Sequence, residues 1–340
     1  MADLPVYNNL EEKRSFFANG GEESFVIKNR TQLDKWFKDV EDQDKVESSN
    51  DATALIYRGI SEAKHKSLTS AQRIWIGNEL QQWSTKSYLE FINDLVENAN
   101  KNTVINKAFD LYNYSNTDRE FPILSLLQHY GAPTPLMDWS YSQNVAFFFA
   151  TDGLVKKEKP KTDIEDYFSV YRINKRNYKK ELLNIIDFED TKRYPPINAF
   201  YDFDTETVNR NANNIFYISD FERRGESLGV IRSFNQLKIR TSKPLTSTYN
   251  QNIIPQEGLF IFNPFPTKSL EEIFNVDYSS DGHNLNLKPF DCFNIHKDLS
   301  EYLRRKIDIK HKINKSFIYP ILTDEAKKIK EKSLNDLIQI

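Results

Sequence analysis

The stretch SLLQHYGAPTPLMDWSYSQNVAFFFA, Ser125 to Ala150, sets Gln128, His129, Asp138 and Trp139 between two apolar segments, around a glycine and two prolines. A hydrophobic core has no use for that polar set, so these residues either pin a turn or form a site. A histidine at a helix end is favoured in its protonated form by the helix dipole. There it suits a general acid or base near neutral pH, or a donor to a phosphate; its structural alternative is a ring bonded to the following turn. Asp138 suits a base, or else an ion-pair partner that fixes the Leu136–Trp139 turn. Trp139 suits a stacking surface or the core. Thr134 stands between Pro133 and Pro135, so its rigid backbone serves a preorganised contact or the turn itself.

Arg58 closes the apolar run DATALIYRG. At a strand end its planar fork would meet a diphosphate with paired donors. The alternative is a buried ion pair with Asp138, and the two roles are compatible if Asp138 orients an arginine that faces a pocket. The chain contains no Gly-x-x-x-x-Gly-Lys loop, no Gly-x-Gly-x-x-Gly turn and no Gly-x-Ser-x-Gly elbow. DFDTETVN from Asp202 carries the acids a metal nuclease needs, but reads as an exposed loop.

The elements that position these groups follow from periodicity. Pro122 suits a first helical turn, Ile123 to Tyr130 fill the helix, and Gly131 suits its left-handed stop. APTPLMDW must be extended, because each proline disfavours the helical region for the residue before it. Ser140 and Gln143 are placed to make a capping box for a second helix that buries Val145, Phe148 and Phe149. Upstream, ESFVI reads as a short strand. A helix capped near Asn29 or Thr31 follows, with Leu33, Trp36 and Phe37 on one face. STKSYLEFINDLVENAN reads as a helix with a Ser87–Glu90 capping box. YFSVYRIN and GLFIF read as strands, DLSEYLRRKI as a helix, and SFIYP as a strand end before a charged helix. Strands and helices alternate without a steady βαβ period. The expected class is therefore α+β, a mostly antiparallel or split sheet flanked by helices.

With 340 residues, 39% hydrophobic and 28% charged, the chain reads as a soluble globular protein. A net charge of -3 lacks the basic field that general nucleic-acid binding requires. The single cysteine, Cys292, excludes an internal disulfide and fits a reducing cytoplasm. It lies in FDCFNI and reads as a small buried hydrophobe. The five histidines lack metal-ligand spacing, so no metal is expected. Apolar runs fall far short of the ~20 residues of a membrane helix, and the N-terminus lacks a signal-peptide pattern. The expectation is a cytoplasmic protein without a membrane partner.

Three blocks together resemble the FRG-domain family of bacterial proteins: YRG, with Tyr57 where the name-giving Phe would stand, then Arg58 and Gly59; QHYGAPTPLMDWSYSQNVAFFFA; and PQEGLF, Pro255 to Phe260. The closing FIYPILTDEAKKI is similar to the segment that ends the domain. The likeness runs from about Thr53 to Lys328, which implies a strand–helix element over 1–50 and an FRG-like domain over 51–335, with residues 174–240 as an insertion. Pro135 and Asn252 stand where arginines are common, and Ser140 where a Thr is usual. The order Arg58, then DWS with its helix, then Gln256 and Glu257 is also similar to the layout of ADP-ribosyltransferases. That resemblance implies NAD as substrate, and a toxin or phage-defence effector with an unidentified macromolecular acceptor. Arg58, His129, Asp138, Gln256 and Glu257 would act, while Tyr57, Gln128, Tyr130, Thr134, Trp139 and Ser140 would line the ligand. Cleaving a nicotinamide–ribose bond develops a cation on the ribose, for which Glu257 is the conventional carboxylate. Gln256 would orient substrate but stabilise that cation less well, and Asp138 would hold ribose hydroxyls. The rival expectation is a non-catalytic module that binds a nucleotide or a regulatory protein; a nuclease-type effector is a further alternative.

Overall fold

The computed structural model describes residues 2–50, 55–111, 120–156, 158–174, 216–219, 256–263, 265–274 and 290–319. Its described strands form one seven-stranded sheet, ordered β1 (Val26–Ile27), β7 (Phe290–His296), β4 (Tyr167–Asn174), β2 (Leu55–Ile60), β3 (Leu136–Ser140), β6 (Gly258–Phe262) and β5 (Phe216–Ser219). Every pairing is antiparallel except β1 with β7. This is the α+β, mostly antiparallel open sheet that the sequence predicts.

The central strands are apolar on both faces, so each must be covered by helices. Successive side chains on a strand point to opposite faces, and the packing follows that rule. Ile56, Tyr171, Ile173 and Cys292 enter one core, which is filled by α3 (Ser70–Gly77), α5 (Tyr88–Lys101), α6 (Thr103–Leu111) and α7 (Glu120–His129). Tyr57, Phe168, Val170, Phe293 and Ile295 enter the other. That second core is filled by α2 (Arg30–Asn50), α8 (Gln143–Thr151) and α10 (Ser300–His311). Leu33, Trp36 and Phe37 of α2 are buried there, and Asn29 caps the helix by accepting from the Gln32 amide at 3.0 Å. The Ser87–Glu90 capping box forms as expected. Cys292 is buried and free.

A short helix near the N-terminus, α1 (Leu10–Arg14), sends Lys13 into the first core. Its ammonium donates to Ala63 O, Ser169 Oγ and Asn294 Oδ1 at 2.8, 2.8 and 3.0 Å. The neighbouring rings of Tyr7, Phe17 and Tyr171 complete the nest. Those acceptors and rings offset the desolvation of a buried cation, although burial still lowers the Lys13 pKa.

Two local expectations are corrected. Ser140 does not cap α8. It ends β3, and its hydroxyl accepts from the Ser142 amide at 2.9 Å and donates to the Gln256 carbonyl at 2.6 Å, leaving Ser142 as the N-cap. The Ser142 amide and the Gln256 carbonyl compete for the hydroxyl and win. SFI does not end a strand either. Lys315–Ile318 is a helical turn, α11, capped by Asn314, which accepts from Phe317 N at 3.1 Å. The helix expected beyond it, the acids at 202–206 and most of the proposed insertion at 174–240 lie outside the described residues, although β5 falls within that stretch.

Candidate functional site

β2 and β3 register at Tyr57 with Ser140 and then part. Arg58 bridges the opening: its Nη1 donates to the main-chain carbonyl of Asp138. The expected Arg58–Asp138 contact is therefore made through the backbone, which leaves the carboxylate of Asp138 for other partners. The Arg58 Nε is buried and has no hydrogen-bond partner among the described residues.

Gln128 governs the Asp138 side chain. Its Nε2 donates to Asp138 Oδ2 at 2.8 Å, and its Oε1 accepts from the Thr134 hydroxyl at 2.5 Å. Because Thr134 donates, the oxygen of the Gln128 amide must face Thr134 and the nitrogen must face Asp138. Thr134 is itself fully buried and locked to the start of α3: its amide donates to Ser70 Oγ at 3.0 Å, and its carbonyl accepts from Ala71 N at 3.1 Å. Gly131 supplies the predicted left-handed stop, at φ 78°. The rigid turn and the polar residues are thus parts of one device: the turn orients an amide, and the amide orients a carboxylate.

These groups line a cleft of about 510 Å³, within the size range of small-molecule sites. Arg58, His129, Asp138 and Gln256 all reach it, with Tyr57, Gln128, Trp139 and Ser140. His129 sits edge-on to Tyr130, ring centroids 5.0 Å apart, and its ring makes no hydrogen bond to a described residue. Gln256 donates through Nε2 to the Ile318 carbonyl at 3.2 Å, so one end of its amide is occupied. Three expected members lie elsewhere. Glu257 adopts a left-handed turn, φ 45°, and does not line the cleft. Thr134 acts from behind Gln128, and Tyr130 is exposed outside.

Sequence reading missed Arg73, His65, Lys66, Phe149 and Tyr319, all of which line the cleft. Arg73 falls on the first turns of α3, and only the docking of that helix on Thr134 brings it in; no local pattern marks it. Lys66 is engaged by Glu272. Burial lowers the Arg58 and Arg73 pKa values, and the Asp138 carboxylate acts against that fall in both. Guanidinium groups stay charged regardless. Burial likewise lowers the His65 pKa, so that ring is held towards its neutral form. Two guanidiniums and one carboxylate line the cleft without a direct ion pair between them, an excess of positive charge that an anion would neutralise.

Residues 53–159 match the family model of the FRG domain. The chain carries an FRG domain. That match spans Arg58, Arg73, Gln128, His129 and Asp138, while Gln256 and Tyr319 come from beyond it. No curated protein and no solved structure matches the chain.

The FRG motif also explains itself physically. A Cβ at Gly59 would fall 1.9 Å from the Ala146 carbonyl oxygen and 2.6 Å from the Ala150 nitrogen. Gly59 therefore lets α8 lie against β2, and the small side chains at 146 and 150 form the matching surface. Among the described residues no helix is long and apolar enough to cross a membrane, and no group of three or more His, Cys, Asp or Glu could hold a metal ion.

Proposed function

We propose that the FRG cleft binds the diphosphate of a dinucleotide such as NAD and supports transfer of its ADP-ribose part. The observation that carries this reading is that Arg58 and Arg73 line one cleft of ligand size together with Asp138, whose carboxylate is held by Gln128. Two forks fit a diphosphate, and the low-dielectric walls strengthen that attraction. In the reaction, the bond between the ribose carbon and the nicotinamide nitrogen breaks and nicotinamide departs as a neutral base. An acceptor hydroxyl, amine or water bonds to the same carbon and gives up its proton. Asp138, held by Gln128, is the carboxylate within the cleft that suits the developing ribose cation. Glu257, the conventional candidate, does not line the cleft.

A second reading, a nucleotide-binding module without catalysis, is favoured by the tether of Gln256 to Ile318. The two are separated by incubating the full chain with NAD labelled on the nicotinamide ring. Release of free nicotinamide, lost in Arg58→Ala and Asp138→Asn, supports the transferase reading. Binding of NAD without release supports the module, and absence of both refutes the NAD assignment.

A further inference from the structure

We propose that Tyr319 and Phe149 form a ring-binding subsite at one end of the cleft, which takes a heteroaromatic base of the ligand whose phosphates sit on Arg58 and Arg73. This rests on the nucleotide reading above and says which end of the ligand lies where. The two residues arrive from different elements. Phe149 belongs to α8, whereas Tyr319 follows α11, more than 150 residues past the end of the FRG match. Their rings stand edge to face, centroids 6.4 Å apart at 75°, and Tyr319 also meets Phe148 at 6.0 Å and 65°. Phe148 is buried and acts as the backing. Tyr319 remains 37% exposed and lines the cleft, so it presents ring surface to whatever enters. Its hydroxyl lies 3.5 Å from Asp152 Oδ2, an exposed contact outside the ring stack.

The polarity of the cleft follows from β3. At the Leu136 end stand Thr134, Gln128 and the start of α3, which carries Arg73. At the Ser140 end the Ser140 hydroxyl holds the Gln256 carbonyl, and Gln256 holds the Ile318 carbonyl, the residue before Tyr319. Asp138 lies two residues from Ser140, about 7 Å along an extended strand. A ribose is the connector that spans such a distance between a base and a phosphate. Aromatic faces accept any nucleobase by stacking, and buried or half-buried rings beside a cationic floor are what a nucleoside phosphate requires.

The test is calorimetric titration of the full chain with NAD, ADP-ribose and inorganic pyrophosphate. Tyr319→Ala is expected to weaken NAD about tenfold or more and to leave pyrophosphate within twofold, while Tyr319→Phe binds all three as the wild type does. Phe149→Leu should show the same split as Tyr319→Ala. A loss confined to NAD places nicotinamide against Tyr319; a loss shared with ADP-ribose places adenine there, and either result supports the subsite. Equal weakening of NAD and pyrophosphate, or no weakening of either while the wild type binds both, overturns the subsite and leaves the phosphate site standing. If the wild-type chain binds none of the three, the nucleotide reading itself fails and takes the subsite with it.

Discussion

Gly59 and Ala146 touch through backbone: a Cβ on the glycine would sit 1.9 Å from the alanine carbonyl oxygen. Real Cβ atoms do not approach that closely, and the atom in the way belongs to a helix that cannot shift without dragging the second core. Gly59→Ala is therefore expected to lower stability by about 3 kcal/mol or more, above the usual range for added core methyls. Ala146→Gly should not rescue it, since the obstacle is main chain. Denaturant midpoints of the two single variants and the double variant check both statements. A near-neutral Gly59→Ala would mean that α8 lies farther from β2.

Arg58 combines a structural and a ligand role, and substitution should separate them. Arg58→Lys keeps the charge and the reach towards the Asp138 carbonyl but loses the fork. It is expected to fold within about 1 kcal/mol of the wild type, near the net worth of one hydrogen bond, and to bind pyrophosphate about tenfold more weakly. Arg58→Ala should lose both. Equal pyrophosphate affinity in Arg58→Lys and wild type would remove the fork from the binding argument.

Asp138 divides binding from chemistry. Its carboxylate competes with any anion for Arg58 and Arg73, yet it is the group available to a ribose cation. Asp138→Asn keeps an oxygen to accept from Gln128 and removes the charge. Pyrophosphate affinity is expected to rise several-fold and nicotinamide release to fall by at least a hundredfold. Thr134→Val removes the donor that orients Gln128, and should cost about 1 kcal/mol in stability with a smaller loss of release. Parallel titration and product assays read the split; a fall in both quantities for Asp138→Asn would make the residue purely structural.

Much of this arrangement was legible in the residues because local rules govern it. Gly131 had to stop a helix, the prolines had to extend the chain, and YFSVYRIN had to form a strand. Arg58, Gln128, His129 and Asp138 could be named because a hydrophobic core does not explain them, and Gln256 because the resemblance implied it. What escaped depends on contacts distant in sequence. Arg73 enters through the docking of α3 on Thr134, and Tyr319 enters through two carbonyl bonds linking Ser140, Gln256 and Ile318. The Ser140–Gln143 capping box fitted the spacing, but its hydroxyl was claimed by the Gln256 carbonyl, more than a hundred residues away. Glu257 stands apart for a local reason: it adopts a left-handed turn just before β6 and does not line the cleft.

Burial of protonated groups predicts alkaline sensitivity. Burial pushes the Cys292 thiol up to about 11 from an ordinary value near 9, with the Lys13 ammonium acting against the rise. Tyr7, Tyr88 and Tyr171 are also raised, desolvation being the first cause in each. For every one of these groups the folded state prefers the protonated form. Stability from them is complete below the unfolded pKa and is lost as pH climbs through the folded value. For Cys292 the window runs from about 9 to about 11; the tyrosines extend the loss upward. Lys13 works in the opposite sense, because its lowered pKa makes the folded state favour the neutral amine and so gain as pH rises towards the ordinary lysine value. Lys13 offsets Cys292 until the tyrosines begin to titrate, so with one such group against four the net slope should be negative above pH 10. Denaturant midpoints measured between pH 10 and 11 should therefore fall, and fall less steeply over that range in Cys292→Ala. In the native state Cys292 should resist a thiol reagent at pH 8 and react on unfolding, since it is buried and protonated there. Prompt labelling of the folded chain, or a flat alkaline profile, would show that Cys292 and the tyrosines are reached by solvent.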